Sequence, residues 1–153
     1  MTSGRPDLQR RICRWYLETY HPNITTYKYQ LPVLDERLLP DPRTVPDYIN
    51  NKWFNRALPR IDLFIALPDH IEIVEAKAKP KLKDVADLKF YENAFKHDPR
   101  SKEYEDRPWE LVFVTPDHSD SIKKYAEEFG ITYIHVPYHE LPKPSYLYRG
   151  TLY

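Results

Sequence analysis

The sequence predicts an α/β fold in which helices cover both faces of a mixed β-sheet. Two observations carry this prediction. Strand-like apolar segments alternate with helical patterns along the chain, and a strand, helix, strand unit near the C-terminus has the order of a parallel crossover. The length of 153 residues suits one compact domain. We therefore expect a single domain over 1–153, with a core at about 6–136 and a C-terminal strap at 137–153.

The first two elements are predicted to be a helix and an edge strand. Proline is tolerated in the first turn of a helix, so Pro6 begins a predicted helix that extends to Tyr20. Its apolar face comprises Leu8, Ile12, Trp15, Tyr16 and Thr19. Residues 24–34 are rich in β-branched and aromatic types, which indicates a strand, and Pro32 favours a place at the edge of the sheet.

Residues 35–59 are predicted to be irregular. They contain four prolines and no clean hydrophobic period, with one helical turn expected near residues 48–55. A connection of this length is unusual in a compact domain, so we interpret it as an insertion or as a flap over a site.

The middle of the chain predicts a β-hairpin followed by a helix. Two apolar segments, 60–67 and 71–77, are separated by Pro68-Asp69-His70, which is typical of a tight turn. Pro80 ends the second strand. A helix over 81–97 then presents an inward stripe of Val85, Leu88, Tyr91 and Phe95.

The last predicted unit is a right-handed parallel crossover. Residues 110–115 form a short, nearly all-apolar strand, and Ser119 offers an N-cap for the following helix. Gly130 marks the C-terminal stop of that helix, and residues 131–136 form the next strand.

Composition excludes several classes of protein. The 23 basic and 23 acidic residues cancel, so no global positive field indicates nucleic-acid binding, and any such site must be local. One cysteine permits no internal disulfide and no cysteine-based zinc cluster, and it suits a cytoplasmic protein, in the host cytoplasm if the source is viral. The longest apolar run, 63–67, is too short to span a membrane. His135 and His139 straddle Pro137, which excludes a helical metal-binding pair.

Three charged residues interrupt the apolar hairpin. Asp62 lies in its first strand, and Glu75 and Lys77 project from one face of its second strand. A turn at 68–69 brings the two carboxylates toward neighbouring strands. Two carboxylates beside an ammonium group suit a divalent cation and the activation of water for attack on phosphorus. The alternative is a cross-strand salt bridge on a solvated face.

These residues resemble the PD-(D/E)xK nuclease superfamily. The shared pattern is Ile61-Asp62, eleven residues, and then Val74-Glu75-Ala76-Lys77, so that twelve residues separate Asp62 from Glu75, with Pro59 preceding the pattern loosely. The resemblance implies a restriction-endonuclease-like fold and a metal-dependent DNA endonuclease that uses attack by a metal-bound water. It assigns catalysis to Asp62, Glu75 and Lys77. It also assigns binding of Mg²⁺ or Mn²⁺ to both carboxylates and the Ala76 carbonyl.

The resemblance extends to the helix that follows. Relatives carry Gln-x-x-x-Tyr there, whereas this chain has Asp87 and Tyr91, so the tyrosine matches and the glutamine does not. Resolvases and other members place a further acidic ligand on the first helix, which corresponds to Glu18 here. A solvent-facing helical glutamate is the alternative interpretation of Glu18.

Basic residues next to the motif are candidates for DNA binding. The densest run comprises Lys77, Lys79, Lys81, Lys83 and Lys89. The four lysines after Lys77, together with Tyr91, form the predicted nucleic-acid contact, and a solvated charged face is the alternative. Three function classes stay open: a general or structure-specific endonuclease, a Holliday-junction resolvase, and a catalytically inactive binding or assembly module. A homodimer is expected because cutting two strands needs two active sites.

Overall fold

The computed structural model describes residues 4–38 and 56–143. Its helices and strands are α1 (Gly4–Tyr20), β1 (Tyr27–Pro32), β2 (Arg60–Ala66), β3 (Ile71–Ala76), α2 (Leu82–Lys96), β4 (Trp109–Thr115), α3 (Asp120–Glu128) and β5 (Thr132–His135). Short 3₁₀ helices at Glu36–Leu38, Pro99–Tyr104 and Tyr138–Glu140 were not predicted. The helical turn predicted near 48–55 and most of the predicted strap lie outside the described residues.

The strands form one mixed sheet in the order β1-β2-β3-β4-β5. Antiparallel pairing joins β1 to β2 and β2 to β3, whereas β4 pairs in parallel with both β3 and β5. The predicted hairpin is therefore β2–β3, and the predicted strand, helix, strand unit is the parallel pair β4–β5. Pro32 lies at the end of β1, an edge strand of this sheet, as its missing N–H favours.

Helices pack on both faces of the sheet, which confirms the predicted fold class. One core cluster joins α1 to the face that carries Leu63, Val74 and Val112. The other joins α2 and α3 to the face that carries Phe64 and Ile73. Because both faces are covered, β3 is buried along its whole length. A charged side chain on β3 therefore lies in the interior.

The ends and faces of the helices follow local sequence signals, with one correction. Thr19 is exposed, and Cys13 and Leu17 complete the buried face of α1 instead, because α1 lies flat on the sheet and buries a wider stripe than predicted.

Gly130 adopts φ +72 after α3. The N–H groups of Gly130 and Ile131 then donate to the carbonyls of Glu127 and Ala126, which is a Schellman C-cap.

Candidate active site

Asp62 and Glu75 face each other across the β2–β3 hairpin. The last paired residues toward this edge are Leu63 and Val74, so the next position outward sets Asp62 opposite Glu75. Their side chains point to the sheet face that packs against α2. Asp62 is 6% exposed and Glu75 is 3% exposed, so both carboxylates are buried. The alternative interpretation, a salt bridge on a solvated face, is therefore wrong for these two residues.

Asp62 is held by two hydrogen bonds. Its Oδ2 accepts from the backbone N–H of Ala76 at 2.9 Å, and its Oδ1 accepts from the Gln30 side-chain amide at 3.0 Å. Gln30 lies opposite Asp62 on β1 and has φ +53, a left-handed conformation that is uncommon for a residue other than glycine. The Arg60 guanidinium donates to the Gln30 carbonyl at 3.0 Å. The backbone conformation of Gln30 therefore directs its side-chain amide toward the Asp62 carboxylate.

Glu75 carries a buried oxygen with no partner. Its Oε2 accepts no hydrogen bond from any residue that the structure describes. Burial raises the pKa of Glu75 well above its usual range, and the neighbouring Asp62 carboxylate raises it further, while Lys77 opposes both effects. A buried acceptor in this state is costly unless a proton or a cation satisfies it.

Lys77 follows β3 and places its ammonium group near two of the buried carboxylates. Its Nζ lies 3.7 Å from Glu75 Oε1 and 3.9 Å from Asp84 Oδ1. Asp84 is itself 5% exposed, and its Oδ2 accepts from the Lys81 N–H at 2.8 Å, which caps α2. The cap thus places a third buried carboxylate near Lys77.

Tyr91 lies on the α2 face of the same site. Burial raises its pKa to about 12, with further contributions from the charges of Glu75, Asp87, Asp62 and Asp84. Its hydroxyl therefore stays protonated at neutral pH and can donate a hydrogen bond. Position 87, where the resemblance expects glutamine, adds another negative charge to this surface.

Glu18 does not join this group. Its side chain is 57% exposed and forms an ion pair with Arg14 at 2.8 Å. It lines a groove with His21 and Tyr27, at the end of the sheet where β1 begins. Asp62 and Glu75 lie toward the opposite end of their strands. This placement counts against the ligand role that the resemblance predicts for Glu18.

The predicted DNA-binding lysines lie on the surface beside the site. Lys79, Lys81, Lys83 and Lys89 are exposed. Lys83 forms an ion pair with Asp87 at 3.6 Å, and Lys89 forms one with Glu92 at 3.4 Å. Exposed pairs of this kind contribute little stability and can exchange for phosphate contacts.

Two site residues escaped the sequence analysis. Gln30 contacts Asp62 across 32 positions of chain, and no local pattern marks it. Asp84 could have been identified from the sequence, because an acidic residue three positions after a helix N-cap is a known capping signal.

A second cluster of ligand-type side chains lies at the other end of β3. His70, Glu72 and Glu110 have ligand atoms within 4.8 Å of one another, so together they can hold a metal ion. Glu72 points to the α1 face, whereas Glu75 points to the α2 face, and about 10 Å of strand separates them. This cluster is therefore distinct from the predicted catalytic group, and the spacing argument that excluded a helical pair at His135 and His139 does not detect it.

Comparisons with known proteins give little further guidance. No protein-family model and no curated protein matches the sequence. Among solved structures, a repair endonuclease from Pyrococcus abyssi is similar with a TM-score of 0.45 and 17% identity, over 84% of this chain and 46% of that one. This chain thus spans less than half the length of that endonuclease, and a likeness at this level does not establish a shared activity. Each helix in the described ranges is too short or too polar to traverse a bilayer.

Proposed function

We propose that this protein is a nuclease that uses Mg²⁺ or Mn²⁺ to hydrolyse phosphodiester bonds in DNA. The observation that carries the proposal is the buried Glu75 Oε2, which has no hydrogen-bond partner among the described residues and lies beside a second buried carboxylate on the neighbouring strand. Carboxylate oxygens are the donors that hard divalent cations prefer, and one or two carboxylates are the usual number for Mg²⁺.

The charge of the site supports a bound cation. The charges of four carboxylates raise the pKa of Tyr91, and the ammonium group of Lys77 lowers that of Glu75. Such a surface repels a DNA phosphate unless positive charge is added. Asp62 and Glu75 would hold the ion, with the Ala76 carbonyl at the same strand end. A divalent ion there supplies charge that polarises a phosphodiester and lowers the pKa of water.

Lys77 and Tyr91 would act as donors in the reaction. The Lys77 Nζ lies beyond 3.5 Å from both carboxylates, so its N–H groups can turn toward a water molecule or a phosphate oxygen. The Tyr91 hydroxyl keeps its proton and can donate to the substrate. Donors aimed at developing negative charge stabilise the transition state of phosphoryl transfer.

The exposed lysines would hold the DNA backbone. Lys79 and Lys81 lie between β3 and α2, and Lys83 and Lys89 follow on α2. Because they stand close in sequence to Lys77, they can neutralise phosphates on either side of the bond to be cut. This local patch is compatible with a chain whose charges cancel overall.

A cleavage panel tests the proposal. Linear duplex, single-stranded, flapped and four-way DNA would each be incubated with Mg²⁺, Mn²⁺ or EDTA. We expect cleavage with either metal, none in EDTA, and none by Asp62→Asn or Glu75→Gln. Glu128→Gln, which removes an exposed carboxylate at the end of α3, is the matched control and should cut like the wild type.

The same panel separates the competing functions. Cleavage confined to four-way DNA would identify a resolvase. DNA binding without cleavage of any substrate would identify an inactive module. Cleavage by a folded Asp62→Asn or Glu75→Gln protein would refute the assignment of the site. Glu18→Gln tests the remaining predicted ligand, and unchanged activity would exclude Glu18 from the machinery.

A further inference from the structure

We propose that His21, His70, Glu72 and Glu110 form a zinc-binding site at the N-terminal end of β3, separate from the proposed nuclease site. The four residues come from different parts of the fold. His21 follows α1, His70 lies in the β2–β3 turn, and Glu72 and Glu110 are paired neighbours on the parallel strands β3 and β4.

The donor atoms already lie near the spacing that zinc requires. His70 Nε2 is 2.7 Å from Glu72 Oε2 and 3.7 Å from Glu110 Oε2. His21 Nε2 is 3.1 Å from each Glu72 oxygen. Zinc–ligand distances of about 2.0–2.2 Å separate the donors of a tetrahedral site by about 3.3–3.6 Å. The ligand atoms of His70, Glu72 and Glu110 already lie within 4.8 Å of one another, and His21, which is hydrogen-bonded to Glu72, would move toward the ion as the fourth ligand.

The His70 ring is oriented as a zinc ligand would be. Asp69 Oδ1 lies 2.8 Å from His70 Nδ1. A carboxylate in that position holds a proton on Nδ1, so a neutral His70 would present Nε2 to a cation lying between Glu72 and Glu110. In the metal-free protein both ring nitrogens can donate, Nδ1 to Asp69 and Nε2 to Glu72 at 2.7 Å, and a bound ion would replace the proton on Nε2. A carboxylate that bonds to the other ring nitrogen of a zinc-bound histidine is common in zinc sites.

A bound cation would also stabilise the two neighbouring carboxylates of Glu72 and Glu110. Their direct pairing on adjacent strands places like charges side by side, which is destabilising. Glu72 is buried and accepts a hydrogen bond from the Tyr16 hydroxyl at 2.5 Å, so its carboxylate is fixed in place. The Glu110 side chain is 58% exposed. The cluster is therefore rigid on its inner side and open to an entering ion on its outer side.

The combination of nitrogen and oxygen ligands favours zinc over magnesium. Two imidazoles and two carboxylates are ligands that zinc accepts readily, whereas Mg²⁺ prefers oxygen donors alone. The Asp62–Glu75 pair offers carboxylates only. One chain would thus carry two sites of different chemistry at opposite ends of its sheet. Because the zinc ligands join α1, the hairpin turn and β4, a bound ion would hold the N-terminal helix to the sheet.

Metal titration of the full chain, prepared without a histidine tag and stripped with a chelator, tests this site. We expect one Zn²⁺ per chain by competition with a fluorescent zinc indicator, and no displacement by millimolar Mg²⁺. Co²⁺ substitution should give the intense visible absorption of a tetrahedral site. Asp69→Asn should weaken Zn²⁺ binding about 10- to 100-fold through loss of the carboxylate that orients the His70 ring, and His70→Gln should weaken it further.

Two controls keep the test specific. His118→Gln removes another histidine paired with an aspartate, Asp120 at 2.7 Å, and should leave Zn²⁺ binding unchanged. Glu75→Gln should also leave it unchanged, so the zinc site and the nuclease site can fail independently. The proposal is overturned if wild-type protein binds no Zn²⁺, if His70→Gln binds it as tightly, or if Co²⁺ gives only the weak absorption of octahedral coordination.

Discussion

Replacing Glu75 with glutamine should stabilise the metal-free protein while abolishing cleavage. Most substitutions at a buried charged position destabilise a protein. Here the carboxylate is 3% exposed, one oxygen has no described partner, and Asp62 lies opposite. Glutamine keeps the shape and removes the charge. The expected gain is thus the relief of a buried carboxylate whose charge Lys77 compensates only in part.

The size of the gain should depend on pH. The pKa of Glu75 in the folded protein lies well above its ordinary value of 4.5, so the folded state binds more protons than the unfolded state between these two values. Stability of the wild type therefore falls as pH rises through this window, by up to about 1.4 kcal/mol per pH unit. Glutamine does not titrate, so the advantage of the variant should be small near pH 4.5 and grow toward neutral pH. For a chain of this length, each kcal/mol raises Tm by about 2–4 °C.

Thermal unfolding from pH 4.5 to 8 in EDTA, with and without excess Mg²⁺, measures this effect. Mg²⁺ should raise the Tm of the wild type and leave that of Glu75→Gln unchanged. Glu72→Gln is the matched control, because Glu72 lies on the same strand and is equally buried but bonds to Tyr16, His21 and His70. It should be less stable than the wild type. A metal-free Glu75→Gln protein that melts below the wild type across this pH range would refute the reasoning.

Further predictions address catalysis, DNA binding and assembly. Lys77→Met should lower single-turnover cleavage about 10²- to 10³-fold with nearly unchanged DNA affinity, and lost affinity with normal cleavage at saturation would contradict this role. Gln30→Gly should tolerate the positive φ yet lower cleavage by releasing Asp62, whereas full activity with an unchanged metal requirement would exclude a positioning role. Lys79→Met with Lys83→Met should reduce the slope of log affinity against log salt by about 2, and an unchanged slope would remove both from the interface. Sedimentation should show the expected dimer; a monomer that cuts both strands symmetrically would exclude it.

The fold was predictable because its signals are local. Periodicity located the helices, and Pro68-Asp69-His70 between two apolar runs located the hairpin. The β2–β3 register then follows from a short turn, which is why Asp62 and Glu75 could be paired from sequence. Thr19 was misplaced because the width of a buried helical stripe depends on how the helix lies on its sheet, and the pattern does not contain this information.

The unpredicted site residues depend on contacts between distant segments. Gln30 reaches Asp62 from another strand, and His21 meets Glu72 across 51 positions of chain. Spacing rules for metal ligands address residues on one helix or one loop. They could not find a cluster whose members meet only when β3 pairs with β4 and α1 packs on the sheet.

The conformation of Gln30 also bears on how two copies of this chain could associate. Strand edges with regular, unpaired N–H and carbonyl groups invite another chain to extend the sheet. Among the described strands, β1 forms one edge, and the left-handed turn at Gln30 together with the missing N–H of Pro32 breaks the regularity of that edge. Edge-to-edge addition at β1 is therefore disfavoured. Gln30 therefore has two effects: it donates a hydrogen bond to Asp62, and it disfavours fibre-like association at the β1 edge. A substitution at Gln30 can change both the orientation of Asp62 and the solubility of the protein.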